Sequence, residues 1–188
     1  NDYADTRKIA LEREDISAVD MSATNVWASK ALLAIIGFLI LLLSITFVPK
    51  LQESAVLLLV LYGTVVGSVL FPTWLFQGME RMVAISMINL VMQFFILIGV
   101  FTFIHRPEDY LTYAALISSG SILSGITGAF IALYMFKIRP VFPSMRGIIE
   151  TLREGWVLFL SMASVSLYTA GNAFILGLLA SNAAVGYY

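Results

Sequence analysis

Five long stretches of this chain contain no Asp, Glu, Lys or Arg: Ala31 to Pro49, Ser54 to Met79, Met82 to Ile104, Tyr110 to Phe136 and Gly155 to Tyr188. Apolar residues run through them continuously instead of alternating with polar ones. Each stretch reaches or exceeds the ~18–20 residues that carry a helix across ~30 Å of hydrocarbon. In that medium only helices or closed barrels satisfy every backbone group, and a barrel needs period-2 alternation. The pattern therefore predicts an all-α polytopic membrane protein with about five transmembrane helices, at roughly 27–48, 54–76, 83–104, 110–136 and 156–179.

Composition agrees with this reading: 60% of residues are hydrophobic and 12% charged, against roughly 25% charged in soluble proteins. The charges also give the chain a direction. Arg7, Lys8, Arg13, Lys30, Arg81, Lys137, Arg139, Arg146 and Arg153 fall in one alternating set of loops, and only Lys50 and Arg106 fall in the other, which accounts for all 11 basic residues. Cytoplasmic loops are the ones enriched in Lys and Arg, so 1–25 and 137–154 are expected in the cytoplasm. The chain starts at Asn1 rather than Met and stops at Tyr188 just past an apolar run. It reads as an internal segment of a longer protein.

The spans differ in character. The first is nearly pure Leu, Ile, Phe and Ala and is expected to face lipid along much of its surface. The second carries Gly63-x-x-x-Gly67 and then Ser68, a small-residue face that lets a neighbouring backbone approach closely. Pro72 near its end lacks a backbone donor and should kink or end the helix. Just beyond, Gln77, Glu80 and Arg81 form a polar group beneath Trp74, which is expected to act as an interface anchor. These residues, with Arg7, are candidates for a cytoplasmic mouth or gate. Asn89 and Gln93 lie four apart on one face of the third span, as do Tyr168 and Asn172 on the last. Amides in lipid need partners. All four are candidate substrate-cavity residues, with interhelical hydrogen bonding as the other reading. Ser118, Ser121, Gly125 and Gly128 give the fourth span a small-residue face for close packing or for lining a space. Between the last two spans, Ile148, Ile149, Leu152 and Trp156 share one side of an amphipathic stretch expected to lie in the cytoplasmic interface.

Several functions are excluded or disfavoured. The chain has no cysteine and a single histidine, His105, so thiolate chemistry is absent and no metal site is expected. No span holds a carboxylate or histidine to serve as the base that a nucleophile requires, and no phosphate-binding glycine loop occurs. No enzyme activity is expected. A net charge of −1 offers no basic patch for nucleic acid.

The stretch Phe71-Pro72-Thr73-Trp74-Leu75-Phe76-Gln77-Gly78-Met79-Glu80-Arg81-Met82 resembles the end of the fourth span in Wzx-type O-antigen flippases. These form the bacterial polysaccharide transport branch of the multidrug/oligosaccharidyl-lipid/polysaccharide exporter superfamily. A second likeness runs from Leu152-Arg153-Glu154-Gly155-Trp156 through Phe159-Leu160-Ser161 and Ser166-Leu167-Tyr168 to Asn172. It continues through Ile175-Leu176-Gly177 to Val185-Gly186-Tyr187-Tyr188. A third covers Asp2-Tyr3 and Thr6-Arg7-Lys8-Ile9-Ala10, where Ala4-Asp5 replaces a longer glycine-containing stretch of the family.

The resemblance implies a fragment of a two-lobe exporter fold of roughly twelve helices. Residues 1–136 would be the end of the first lobe, with helices three to six. Residues 137–155 would be the cytoplasmic inter-lobe connection, and 156–188 the start of the second lobe, with helix seven. It implies a flippase of the bacterial cytoplasmic (inner) membrane that moves an undecaprenyl-diphosphate-linked oligosaccharide to the periplasmic leaflet by alternating access. Membrane lipid, a polysaccharide polymerase and other assembly proteins would be its partners. No cofactor is implied, with H+ or Na+ as candidate coupling ions. The alternatives are a drug or small-molecule antiporter of the same superfamily, which would need a mid-span carboxylate, and a non-transporting multi-pass membrane subunit.

Overall fold

The computed structural model describes residues 2–12 and 16–179, and they are almost entirely helical. The elements are α1 (Asp2–Glu12), α2 (Ile16–Phe47), α3 (Pro49–Gln52), α4 (Ala55–Leu70), α5 (Thr73–Gly78), α6 (Met82–Phe103), α7 (Tyr110–Phe136) and α8 (Met145–Leu179), with a 3-10 turn at Pro107–Asp109. Four segments are long and apolar enough to cross a membrane: Ala18–Phe47, Ala55–Gly78, Met82–Phe103 and Tyr110–Phe136. The fifth expected span corresponds to the second half of α8, where Phe159–Tyr168 is a shorter apolar helix among the described residues. The chain is a multi-pass membrane protein.

Helices α4, α6 and α7 pack through small residues. A Cβ added at Gly67 would strike the backbone of Ser121, and one at Gly125 would meet the Gly67 carbonyl oxygen at 2.5 Å. The Ser118 hydroxyl donates to the Val60 carbonyl at 2.6 Å. The Gly63/Gly67 motif and the small-residue face of the fourth span are therefore two sides of one intramolecular contact. The other side of α7 meets α6, with Gly120 against Ile96 and Gly99 against Leu116. Small residues are what lipid-embedded helices need, because apolar surface gains nothing by leaving one hydrocarbon environment for another. The outer surface of α2 from Leu32 to Leu43 is exposed.

Pro72 ends α4. Phe71 is forced to an extended conformation (φ −77°, ψ 112°), the usual effect of a following proline ring. The chain then restarts as the single turn and a half of α5. Two expectations about the remaining helices need correction. The first membrane helix begins at Ile16, well before residue 27, since nothing from Ser17 to Ala28 breaks a helix and its polar residues find partners. The amphipathic stretch and the last span are one 35-residue helix, α8. The lone Gly155 between them disfavours helix by only about 1 kcal/mol, too little to separate two elements.

Candidate functional site

The basic end of the helix bundle holds a cluster built around the break at Phe71-Pro72. Trp74, Leu75 and Phe76 of α5 are fully buried together with Ile9, Val26 and Ala132. The Trp74 ring meets Trp27 edge-on at 5.7 Å, and the Lys30 ammonium lies 6.0 Å from its centroid. Phe76 packs edge-on against Phe136 at 5.6 Å. Trp74 is thus a core residue, which corrects its reading as an interface anchor. An anchor keeps its polar edge wet, whereas the Trp74 indole N–H is buried with no hydrogen-bond partner among the described residues.

Helix α1 crosses beneath α5 and clasps it. Ile9 occupies the space that a side chain at Gly78 would fill, with the nearest carbon 2.7 Å from an added Cβ. Beside it the Thr6 hydroxyl donates to the Gln77 side-chain oxygen at 3.2 Å. Helix α5 ends in a Schellman motif. The Glu80 N–H donates to the Gln77 carbonyl at 3.0 Å and the Arg81 N–H to the Phe76 carbonyl at 2.8 Å. The residue that turns the chain is Glu80, at φ 56°, a left-handed conformation normally given to glycine. A carboxylate held there by the fold is an outlier of the kind that clusters at switches and functional sites. Glu80, Arg81 and Arg7 are exposed at this corner.

A second set of contacts fixes the connection from α7 to α8. The N-terminal extension of α2 presents buried polar side chains along one face, and the connection lies against it. Asp20 accepts from the Arg139 N–H at 3.0 Å, Thr24 Oγ1 from the Val141 N–H at 3.2 Å, and Asn25 Oδ1 from the Ser144 N–H at 3.0 Å. Ser29 donates to the Asn25 carbonyl at 2.7 Å. Side chains here replace the neighbouring strand that an extended, proline-bearing segment lacks. Gly147, Thr151 and Gly155 of α8 turn toward the protein, while Ile149 and Trp156 stay 63% and 57% exposed. Of the expected apolar stripe, Ile148 and Leu152 are half-buried. The polar residues Asp20, Thr24 and Asn25 escaped the sequence reading. Their signal is a run of polar residues at roughly helical spacing just ahead of an apolar run.

The remaining candidates lie within the apolar helices. Asn89 and Gln93 are exposed on α6. The Ser124 hydroxyl donates to Asn89 Oδ1 at 3.5 Å, and Gln93 lies in a groove of about 560 Å³ lined by Leu90, Phe94 and Leu97. Tyr168 is 74% exposed. Asn172 belongs to α8, but its side chain lies outside the described residues. Four-residue spacing thus brings Asn89 and Gln93 to one face, and among the described residues no hydrogen bond joins either to Tyr168.

No solved structure matches this chain. Two curated relatives do, each bearing the name "Putative O-antigen transporter". The Escherichia coli (strain K12) protein is 28% identical over 183 residues, covering 97% of this chain and 44% of the relative. The Shigella dysenteriae protein is 30% identical over 122 residues, covering 65% of this chain and 31% of the relative. The chain thus spans less than half the length of either. Residues 3–188 match the family described as polysaccharide biosynthesis protein. With that match spanning nearly every residue, over a bundle of apolar helices, the chain belongs to the polysaccharide biosynthesis protein family.

Proposed function

We propose that this chain is part of a transporter that carries a lipid-linked oligosaccharide across the bacterial inner membrane by alternating access, with its basic end in the cytoplasm. The observation that carries the proposal is the family match over residues 3–188, supported by the names of the two relatives. The geometry adds a physical argument. Asn89, Gln93 and Tyr168 are exposed on membrane helices, Asn89 with a single long bond from Ser124, and an unsatisfied amide in hydrocarbon costs several kcal/mol, roughly 4–8 against an alkane. A water-filled path between two lobes removes that penalty and supplies the hydroxyl-bonding wall that a glycan requires.

The corner at Gln77, Glu80 and Arg81 then lies at the cytoplasmic mouth. A carboxylate and a guanidinium exposed there form or break contacts at small energetic cost, enough to bias two states that differ by a few kcal/mol. The test is surface O-polysaccharide in a flippase-null host that carries the complete protein, normalised to its membrane abundance. The complete protein should restore the polysaccharide. Glu80→Ala and Arg81→Ala should lower output per molecule while leaving abundance near normal. Polysaccharide that stays absent despite normal abundance of the unaltered protein would count against the transport reading. Full activity of both variants would leave the corner a structural turn.

A further inference from the structure

The polar clamp on α2 leaves a groove beside it that the transport path does not use. Lys8 reaches it from α1, Ser22 and Asn25 from α2, Ser144 from the connection before α8, and Arg146 and Glu150 from the start of α8, around a cavity of about 340 Å³. We propose that this groove binds the phosphate of an anionic phospholipid headgroup. The cations are brought together from opposite ends of the chain, and Arg146 stands in the first turn of α8, a 35-residue helix. Such a helix start adds positive potential of its own. Asn25, only 5% exposed, already gives its oxygen to the Ser144 N–H at 3.0 Å, so the mouth of the groove is held in place before any ligand arrives.

Depth and flanking surface select a lipid over a soluble anion. Asn25 precedes the expected start of the first span at about residue 27 by two residues, which places it ~3 Å outside the hydrocarbon at 1.5 Å per residue. Headgroups extend roughly 5–8 Å on each side of the core, so the groove opens among them. Alongside Arg146, Met145, Ile149 and Trp156 form an exposed apolar stripe on the same helix. Exposed apolar side chains at the end of a membrane helix offer a surface to the acyl chains of the lipid whose phosphate the cations hold. Glu150 opposes binding, and the groove carries one net positive charge from its two cations and one carboxylate.

The complete protein, purified in detergent, should retain phosphatidylglycerol in a native mass-spectrometry titration in preference to phosphatidylcholine. Basic residues near an anionic headgroup contribute roughly fivefold each. The double variant Lys8→Ala/Arg146→Ala should therefore bind about thirtyfold more weakly. Glu150→Gln should bind more tightly, a gain that misfolding cannot mimic. Equal affinity of the double variant and the unaltered protein would overturn the proposal, as would equal retention of phosphatidylcholine. Displacement of the lipid by millimolar inorganic diphosphate would also overturn it, by assigning the groove to a diphosphate group instead of a resident phospholipid.

Discussion

The contact between α4 and α7 and the cluster around α5 join neighbouring parts of one chain by opposite means. At membrane depth the contact is made by what is missing. Gly67 and Gly125 remove side chains so that backbones can touch, and one hydroxyl, that of Ser118, bonds across. At the basic end the contact is made by bulk, with Trp74, Phe76, Trp27 and Phe136 filling the space and Asp20, Thr24 and Asn25 bonding to bare backbone. Solvent explains the contrast. Burying an aromatic ring is favourable only where the alternative is water. In lipid the alternative is already apolar, and close approach is what remains to be gained. The position of the switch between the two modes, at Phe71-Pro72, coincides with the break between α4 and α5.

The largest expected effect falls on the aromatic cluster. Trp74→Ala should destabilise the complete protein by about 3–5 kcal/mol, seen as a large drop in thermal stability in detergent. Trp74→Phe sharpens the comparison. It keeps most of the apolar volume and deletes the orphan N–H, so its loss should be far smaller. Comparable losses for the two variants would mean that the indole N–H has an acceptor in the working protein.

In the membrane the sign of the size effect reverses. Gly67→Ala adds a single methyl group but drives it into the Ser121 backbone, and should cost about 1–3 kcal/mol, as overpacking does. The same substitution at Gly37, where the added carbon would meet the Tyr62 hydroxyl oxygen at 3.3 Å, should be the milder of the two. An equal or greater loss at Gly37 would refute close packing of α4 on α7.

The polar clamp should be weaker than either. Asn25→Ala leaves the Ser144 N–H, at an exposed residue, to water and should cost about 0.5–1.5 kcal/mol, the net worth of one hydrogen bond. The loss should appear as faster proteolysis between Lys137 and Ser144 ahead of global unfolding. Smallest is the turn at the opposite end. Asp109 Oδ2 accepts from the N–H groups of His105 and Arg106, both at 3.0 Å, and these bonds hold its carboxyl below the ordinary value of 3.8. A lowered folded-state value means that the contribution is complete above 3.8 and is lost as pH falls through the lower value. Hydrogen exchange at His105 and Arg106 should therefore quicken only in that acid range. Asp109→Asn should abolish the pH dependence.

The membrane helices were legible because lipid permits so few solutions: charge-free runs of sufficient length must be helices, and Pro72 must interrupt one. The Gly63/Gly67 face was legible for the same reason. The basic end was less so. There water, headgroups and protein compete for the same side chains, and Trp74 has the composition of an anchor yet is buried by α1, which folds back beneath it. Asp20 and Asn25 act on backbone N–H groups more than a hundred residues away, a pairing that no local pattern announces. Glu80 stood out by position, but its left-handed conformation is set by the reversal between α5 and α6 and has no sequence signature.

Every functional role given to the basic end depends on its facing the cytoplasm. The chain contains no cysteine, so single cysteines can be placed without background at Gln52, Glu108 and Ser144, all exposed. An impermeant thiol reagent added to intact cells should label positions 52 and 108 and spare 144, with 144 reacting once the membrane is opened. Labelling of 144 in intact cells, with 52 and 108 protected, would invert the protein and contradict the account.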